Sequence, residues 1–217
     1  MDPANVPPSM GVKEHAIQGL RGVKVDDPNV TIPFMFQCGY LPFIGPADQQ
    51  ENTTLMIPDP RSFLTELFGS LNKHGIDVGP YELDHICYRV DTEVRYSEMK
   101  ATFREHAHLL VESMVSGRLI ATYKLNESFL FEGRSITVIE LPSPKSGSPY
   151  YEGYEHAEFV IDCDPLAFTE RYPQLDWDLS GSRKLMNADV RLPFGSISVK
   201  FHQEALEKVI ERERSMT

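Results

Sequence analysis

From residue 58 onward, apolar residues recur first at helical spacing and then at strand spacing, and this pattern predicts a series of short elements. The stretch "PDPRSFLTELFGSLNKHGI" predicts a helix that ends near His74, because Gly75 follows it. "LDHICYRVD" then predicts a strand, and "YSEMKATFREHAHLLVESMV" a helix with Met99 and Met114 on its apolar face. "RLIATYKL", "SFLFEG" and "SITVIELPSP" predict three further strands. Together they form one βαβββ unit.

A second, shorter unit follows the loop at residues 143–154. "YEHAEFVID" predicts a strand, "DPLAFTERYP" a short helix, and "ADVRLP" and "SISVKFHQ" two strands. The closing strands "SITVIELP" and "SISVKFHQ" begin alike, which favours an internal duplication over a chance recurrence of short Ser, Ile and Val strings. The stretch "EALEKVIERERS" predicts a final amphipathic helix.

The domain organisation follows from this series. Residues 1–55 are rich in Pro and Gly and lack periodicity, so they predict an irregular N-terminal arm. Residues 56–217 predict one α+β domain, with module 1 at about 81–145 and module 2 at about 152–203. A helix precedes the first module and another follows the second.

Composition and charge narrow the class of partner. The 217 residues carry 32 acidic and 21 basic side chains, a net charge of −11, without a basic cluster. This balance argues against binding to nucleic acid or to an anionic membrane surface. Neither a long apolar run nor a cysteine framework appears, since the three cysteines lie far apart. We therefore expect a cytoplasmic protein with a small-molecule ligand, either a monomer or a homodimer.

Two histidines at matching places in the two units suggest a metal site. Strand alternation puts His85 and Arg89 on one face of their strand, and His156 and Glu158 on one face of theirs. Glu140 closes the first unit and adds a carboxylate. Two imidazoles and one carboxylate suit Zn, Mn, Fe or Ni and leave positions open for substrate. The alternative is structural, because a lone histidine at a strand start is more often a core or edge residue.

The last strand carries Lys200, where strict duplication would place a second carboxylate. An ammonium group does not ligate a metal, so Lys200 is expected to bind an anionic substrate or to balance charge. His202 lies two residues further on the same face. Cys87 shares a face with His85, and a buried apolar thiol is its expected role.

The duplicated βαβββ unit resembles the vicinal oxygen chelate superfamily of glyoxalases, bleomycin-resistance proteins and dioxygenases. The segments "DHICYRV", "LLVESMVSGRLIATYKL", "SITVIELPSP", "GYEHAEFVI" and "SVKFH" are similar to the YecM-like family within it, over about residues 58–214. The resemblance implies a half-open, curved β-barrel whose cavity collects His85, Glu140, His156 and the position of Lys200. The superfamily commonly has glutamate or histidine at that fourth position, and His202 would compensate only if the strand end bends.

Two functions are compatible with these residues. The first is a divalent-metal-dependent enzyme, an isomerase, lyase or oxygenase, that acts on a small oxygen-chelating metabolite. In it Glu158 would act as base, and Arg89, Lys200 or His202 would hold the substrate.

The second function is a metal-free protein that binds or sequesters a small molecule without turnover. Its cavity would be lined by aromatic side chains, namely those of Tyr88, Tyr123 or Trp177. A third possibility is a vestigial site on a protein whose acidic surface mediates assembly.

Overall fold

One open, mixed sheet organises residues 56–147 and 150–216, the part of the chain that this computed structural model describes. Its seven strands are β1 (Glu82–Arg89), β2 (Ala107–Val115), β3 (Arg118–Phe131), β4 (Arg134–Pro142), β5 (Gly153–Val160), β6 (Asp189–Phe194) and β7 (Ile197–His202). Four α-helices accompany the sheet within the described residues: α1 (Arg61–Lys73), α2 (Glu93–His106), α3 (Pro165–Thr169) and α4 (Leu206–Ser215). The α+β fold class and the half-open sheet are therefore confirmed. The predicted arm at residues 1–55 lies outside the described residues.

The strand order shows the duplication directly. The order is β2-β3-β4-β1-β5-β7-β6, with β1 parallel to β4 and β5 parallel to β7. The central strands β1 and β5 are antiparallel and join the two modules. Cys87 pairs with Glu140 in the first module, and Glu158 pairs with Lys200 in the second. Since Cys87 and Glu158 each stand two residues after a histidine, the two modules share the same register.

The second module is the shorter one, as the sequence pattern indicated. It contains β5, α3, β6 and β7, whereas the first module has four strands. Helix α1 ends at Lys73, and Gly75 follows with a φ of 70°, a left-handed conformation that glycine adopts without strain. The predicted end near His74 is therefore confirmed.

The long helix predicted over residues 96–115 is wrong in its second half. Helix α2 ends at His106, and residues 107–115 form β2, which pairs antiparallel with β3. Positive φ angles at Ser116 and Gly117, 50° and 82°, make the two-residue turn that joins these strands. The apolar positions of this segment fit helical spacing as well, so only pairing with β3 decides between the two structures.

The strands predicted as "RLIATYKL" and "SFLFEG" merge into the single long strand β3. The intervening residues 126–128 keep an extended backbone, and the pairing with β4 shifts in register between Lys124 and Phe129. Module 1 therefore still has three strands after its helix, although two of them differ from the prediction.

Alternation along the four central strands sorts the sheet into two faces. One face is apolar and carries fully buried side chains, among them Ile86, Ile139, Ala157 and Phe201. Helix α1 contributes to the core on this side, where the Phe68 ring lies 6.0 Å from that of Phe159. The opposite face is left for polar side chains. None of the helices among the described residues has the length and apolar character needed to cross a membrane.

Candidate metal centre

The polar face of the central strands carries four potential metal ligands. His85 comes from β1, Glu140 from β4, and His156 and Glu158 from β5. One donor atom of each lies within 4.8 Å of the donor atoms of the other three. The two histidines are 2% and 4% exposed, respectively, whereas Glu140 reaches the adjoining cavities. The structure thus brings together the three residues that the sequence predicted as ligands, and it adds Glu158.

Both imidazoles direct Nε2 towards the same two carboxylates. His85 Nε2 lies 3.3 Å from Glu158 Oε1 and 3.8 Å from Glu140 Oε2. His156 Nε2 lies 3.1 Å and 4.0 Å from the same two atoms. Ligands that bond one ion at about 2.0–2.2 Å stand roughly 3–4 Å apart, so these separations fit a shared ion. His85 Nε2 is also buried without a hydrogen-bond partner.

Each histidine is held by the acidic residue that precedes it. Asp84 Oδ2 lies 2.8 Å from His85 Nδ1, and a Glu155 carboxylate oxygen bonds His156 Nδ1. With the proton on Nδ1, Nε2 keeps its lone pair for an ion in the centre. The pairs "DH" and "EH" in the sequence are the signal that could have identified these two acids.

Two β-bulges explain how neighbouring residues lie on one side of the strand. The β1–β5 pairing shifts in register between Leu83 and His85 and again between Cys87 and Tyr88. Asp84 is the extra residue of the first bulge and Glu155 that of the second, opposite Cys87 and Tyr88. A bulge rotates the backbone locally, so the acid lies beside its histidine and not on the opposite face.

Lys200 lies at the position where duplication would place a fourth ligand. Its Nζ donates a hydrogen bond to Glu158 Oε1 at 2.6 Å and lies 3.0 Å from His156 Nε2. Burial lowers the pKa of Lys200, but the charges of Glu158 and Glu140 outweigh it and raise that pKa well above its usual value. Lys200 is therefore an ammonium group, which cannot ligate.

The carboxylates give the centre a strong attraction for cations. Burial lowers the pKa of His85, but Glu158, Asp84 and Glu140 outweigh it and raise that pKa well above its usual value. Burial raises the pKa of Glu158, but Lys200 and His85 lower it far below its usual value. In the metal-free protein protons on the imidazoles and the ammonium of Lys200 balance these charges. A divalent cation would replace the protons.

Glu155 links the centre to two arginines. Burial alone would raise its pKa, but the hydrogen bond with His156 and the charges of Arg89 and Arg191 lower the pKa to about 2. Arg89 Nη2 lies 3.1 Å from Glu155 Oε2, and Arg191 Nη2 donates to Glu155 Oε1 at 2.5 Å. Arg89, expected to hold a substrate, therefore contacts an acid that positions His156. Cys87 is buried on the same face, with Sγ within 4.8 Å of donor atoms of Glu155 and His156.

His202 lies behind the centre. It is fully buried, its Nδ1 donates to the carbonyl oxygen of Glu204 at 2.8 Å, and its Nε2 lies 3.4 Å from Asp84 Oδ2. The strand end brings His202 towards Asp84, and His202 lines neither of the two cavities beside the centre. His202 Nε2 also lies 3.7 Å from Glu158 Oε2 and is buried without a hydrogen-bond partner, so the structure does not bring His202 to a substrate in either cavity.

Two cavities adjoin the centre, with volumes of about 250 and 470 Å³. Both are lined by Glu140 and Lys200; the first includes His85 and Glu158, and the second His156. The aromatic residues expected around a metal-free ligand lie elsewhere, because they pack in or against the core on the apolar face; these are Tyr88, Tyr123 and Trp177. That expectation is therefore wrong for these two cavities.

Comparisons with known proteins agree with the fold and with the resemblance in sequence. The family model described as YecM protein matches residues 52–213. Protein YecM of Escherichia coli K12 is 26% identical over 156 residues, which cover 65% of this chain and 83% of that protein. An uncharacterised protein of Haemophilus influenzae is 30% identical over 116 residues, 54% of this chain and 61% of that one.

Solved structures are also similar. The structural-genomics protein EC4020 has a TM-score of 0.62 and 26% identity, covering 70% of this chain and 88% of that one. A methylmalonyl-CoA epimerase of Streptomyces coelicolor has a TM-score of 0.41 and 18% identity over 57% of this chain and 97% of its own.

Proposed function

This chain belongs to the YecM family, and we propose that it binds one divalent metal ion through His85, Glu140 and His156. We further propose that it is a cytoplasmic enzyme, an isomerase, lyase or oxygenase, acting on a small metabolite that chelates through two oxygens. The observation that carries the proposal is the convergence of donors from both modules, with the buried Nε2 of His85 lacking any hydrogen bond.

The donor set limits the kind of ion. Imidazole nitrogen with carboxylate oxygen suits Zn, Mn, Fe or Ni, and it disfavours Mg and Ca, which prefer oxygen alone. When bound, such an ion acts as a Lewis acid and orients the substrate. Glu140 has a side chain 16% exposed and borders both cavities, so a substrate reaches the centre from its side.

The residues around the ligands would assist the reaction. Glu158 lies beside both imidazoles and borders the smaller cavity, so its position makes it our candidate for accepting a proton from the substrate. Lys200 holds Glu158 by a hydrogen bond and faces both cavities, so it would also attract a negatively charged substrate. Asp84 and Glu155 keep the two imidazoles in orientation.

Metal analysis of the full chain, purified without a histidine tag, tests this proposal. We expect about one divalent ion per chain in the wild type, and its loss in His85→Ala and His156→Ala, because each removes a donor. His108→Ala is the matched control, since His108 is exposed on β2. Wild-type protein that takes up none of Mn, Fe, Ni and Zn would refute the proposal.

Lys200 supports a second candidate, a metal-free protein that binds a small molecule. Its ammonium already bonds Glu158 and lies close to His156, so charge in the centre is partly balanced without an ion. Melting curves separate the two candidates. If EDTA and all four ions leave the melting temperature unchanged while an organic ligand raises it, the second candidate is correct.

A further inference from the structure

The two cavities beside the candidate metal centre differ in chemical character. The lining of the larger cavity includes five basic side chains, those of Arg89, Arg118, Lys184, Arg191 and Lys200, and only Lys184 and Lys200 of these also line the smaller cavity. The smaller cavity has an apolar wall made by β2, the start of β3 and helix α4, with Val111, Val115, Ile120, Leu206, Val209 and Ile210. A ligand at the centre would therefore have a cationic surface on one side and an apolar surface on the other.

Two of these basic side chains share one acid. Arg89 and Arg191 share the single carboxylate of Glu155, which also bonds His156. Arg89 Nε is buried and has no hydrogen-bond partner. Of the other acids of this cavity, Glu140 belongs to the candidate centre, Asp189 pairs with Lys184, and Asp178 accepts a hydrogen bond from the backbone of Ser180.

Arg118 is the residue that gives this cavity its free positive charge. Within the described part of the chain no carboxylate lies in ion-pairing distance of its guanidinium. Its contacts are long, 3.4 Å to the Ser143 carbonyl oxygen and 3.4 Å to the Tyr150 hydroxyl. The guanidinium of Arg89 lies over the ring of Tyr150, 4.8 Å from its centroid, so both arginines contact Tyr150. A half-buried guanidinium with unused donors is suited to an oxyanion.

We infer that the substrate is a small amphipathic organic acid. Its carboxylate or phosphate contacts Arg118 beside Arg89, and its apolar part lies against Val111, Leu206 and Ile210 in the smaller cavity. This inference rests on the proposed function, because the reacting end of the substrate would then lie at Glu140, between the two cavities. Arg118 is then a specificity-determining residue outside the metal ligands.

Calorimetry on the full chain tests the inference with four probes: hexanoate, hexyl phosphate, the neutral hexanamide and acetate. We expect hexanoate or hexyl phosphate to bind at least about tenfold more tightly than hexanamide, which lacks the charge, and acetate, which lacks the tail. Whichever of hexanoate and hexyl phosphate binds more tightly identifies the anionic group of the substrate. Equal binding of hexanamide, or no binding of either acid at millimolar concentration, would overturn the inference.

Variants of Arg118 test the assignment to this residue. Arg118→Gln should lower the affinity for the more tightly bound acid by about tenfold or more, since a charge-assisted pair is lost. Arg118→Lys keeps the charge and should retain most of the affinity. Arg104→Gln, on the exposed side of α2, is the matched control and should change nothing. If Arg118→Gln binds the acid as tightly as Arg104→Gln does, the assignment is wrong.

Metal content measured on the same samples separates the two proposals. Arg118→Gln should hold as much divalent ion as the wild type, because Arg118 contacts none of the candidate ligands. Wild type that binds the acid but no ion would leave the anion site standing and refute the metal proposal. Wild-type protein that binds the ion but neither acid would refute the anion site and leave the metal proposal standing.

Discussion

This centre differs from the rest of the polar surface because it contains two buried imidazoles. Each imidazole is paired with one acid and directed at two further acids. The donors come from positions far apart in the chain, and each imidazole is oriented by the residue directly before it, in pairs at residues 84–85 and 155–156. Burial of this many acids is costly unless cations accompany them. The centre therefore requires protons, Lys200 or a metal ion.

The ammonium of Lys200 lies 3.0 Å from His156 Nε2, close to the place where a metal ion would bind. We predict that Lys200→Met raises the affinity for a divalent ion by about tenfold or more, because a positive charge beside the ion is removed. Titration of metal-free protein with Zn or Mn, followed by calorimetry, measures the change. Lys100→Met is the control, since Lys100 pairs with Glu112 away from the centre. A lower affinity in Lys200→Met would mean that Lys200 supports the ion.

The convergence of the three candidate ligands could be predicted from the sequence, but the acids that orient them could not. His85, Glu140 and His156 stand at equivalent ends of duplicated strands, so the repeat itself pointed to them. Asp84 and Glu155 were not predicted, because strict alternation assigns them to the opposite face of the strand and only the two bulges reverse this. Arg118 begins a strand in a hairpin whose first half was predicted as helix.

At the scale of elements, helix α4 is coupled to the centre. The backbone N–H of Leu206, its first residue, donates to Asp84 Oδ2 at 3.0 Å, and Asp84 in turn orients His85. Val209 and Ile210 of the same helix form part of the cavity wall. Helix α4 therefore helps to orient His85, a candidate metal ligand, and also forms part of the wall of the smaller cavity.

A pair of substitutions isolates this hydrogen bond. Proline is tolerated at the first position of a helix, so Leu206→Pro removes the N–H while the helix remains. Leu206→Ala removes the same side chain but keeps the N–H. We predict that metal affinity, measured by calorimetry, is about tenfold lower in Leu206→Pro than in Leu206→Ala. Equal affinities would show that this bond does not position His85.

Glu152, directly before β5, joins two elements on the other side of the sheet. It accepts hydrogen bonds from Tyr88 of β1 at 2.8 Å and from Arg95 of α2 at 2.9 and 2.7 Å. The hydrogen bonds from Arg95, opposed by burial and aided by Tyr88, lower the pKa of Glu152 below its usual 4.5. A lowered pKa means that this carboxylate stabilises the fold above pH 4.5 and stops doing so as pH falls through the folded-state value.

We predict that Glu152→Gln lowers the free energy of unfolding by about 1 kcal/mol at pH 7. The difference from wild type should shrink as the pH falls below 4.5, because protonation of Glu152 removes the same interaction. Urea unfolding at several pH values measures it. Glu98→Gln is the control, since Glu98 also contacts Arg95 but its side chain is 51% exposed. A difference that does not change with pH would contradict the explanation.

The order of elements was predictable from the sequence, whereas the fate of residues 107–115 was not. Helix α1, the strands around both histidines and helix α4 have one clear periodicity each, and the structure agrees with them. The apolar positions in residues 107–115 fit both the helical and the strand period. Pairing with β3 decides between them, and a local pattern does not contain this long-range interaction.

At the scale of the whole molecule, the candidate ligands join the two modules. His85 and Glu140 belong to the first, and His156 belongs to the second, across the antiparallel β1–β5 pair. A bound ion would link the modules and stabilise only the folded state. At about 100 times its Kd the ion should add ~2.7 kcal/mol, which raises the melting temperature by roughly 5–10 °C.

The same melting experiment contains its own control. EDTA should reverse the rise, and the double variant His85→Ala/His156→Ala should show none with the same ion. A rise that persists in the double variant would place the ion at another site.

Anomalous diffraction from a crystal of the protein loaded with Zn or Mn would locate the ion itself. We expect one strong peak on the polar face at the β1–β5 pair, about 2.0–2.2 Å from His85 Nε2, His156 Nε2 and a Glu140 carboxylate oxygen. A crystal whose peaks lie only on surface carboxylates, with Lys200 still bonded to Glu158 and His156, would contradict it.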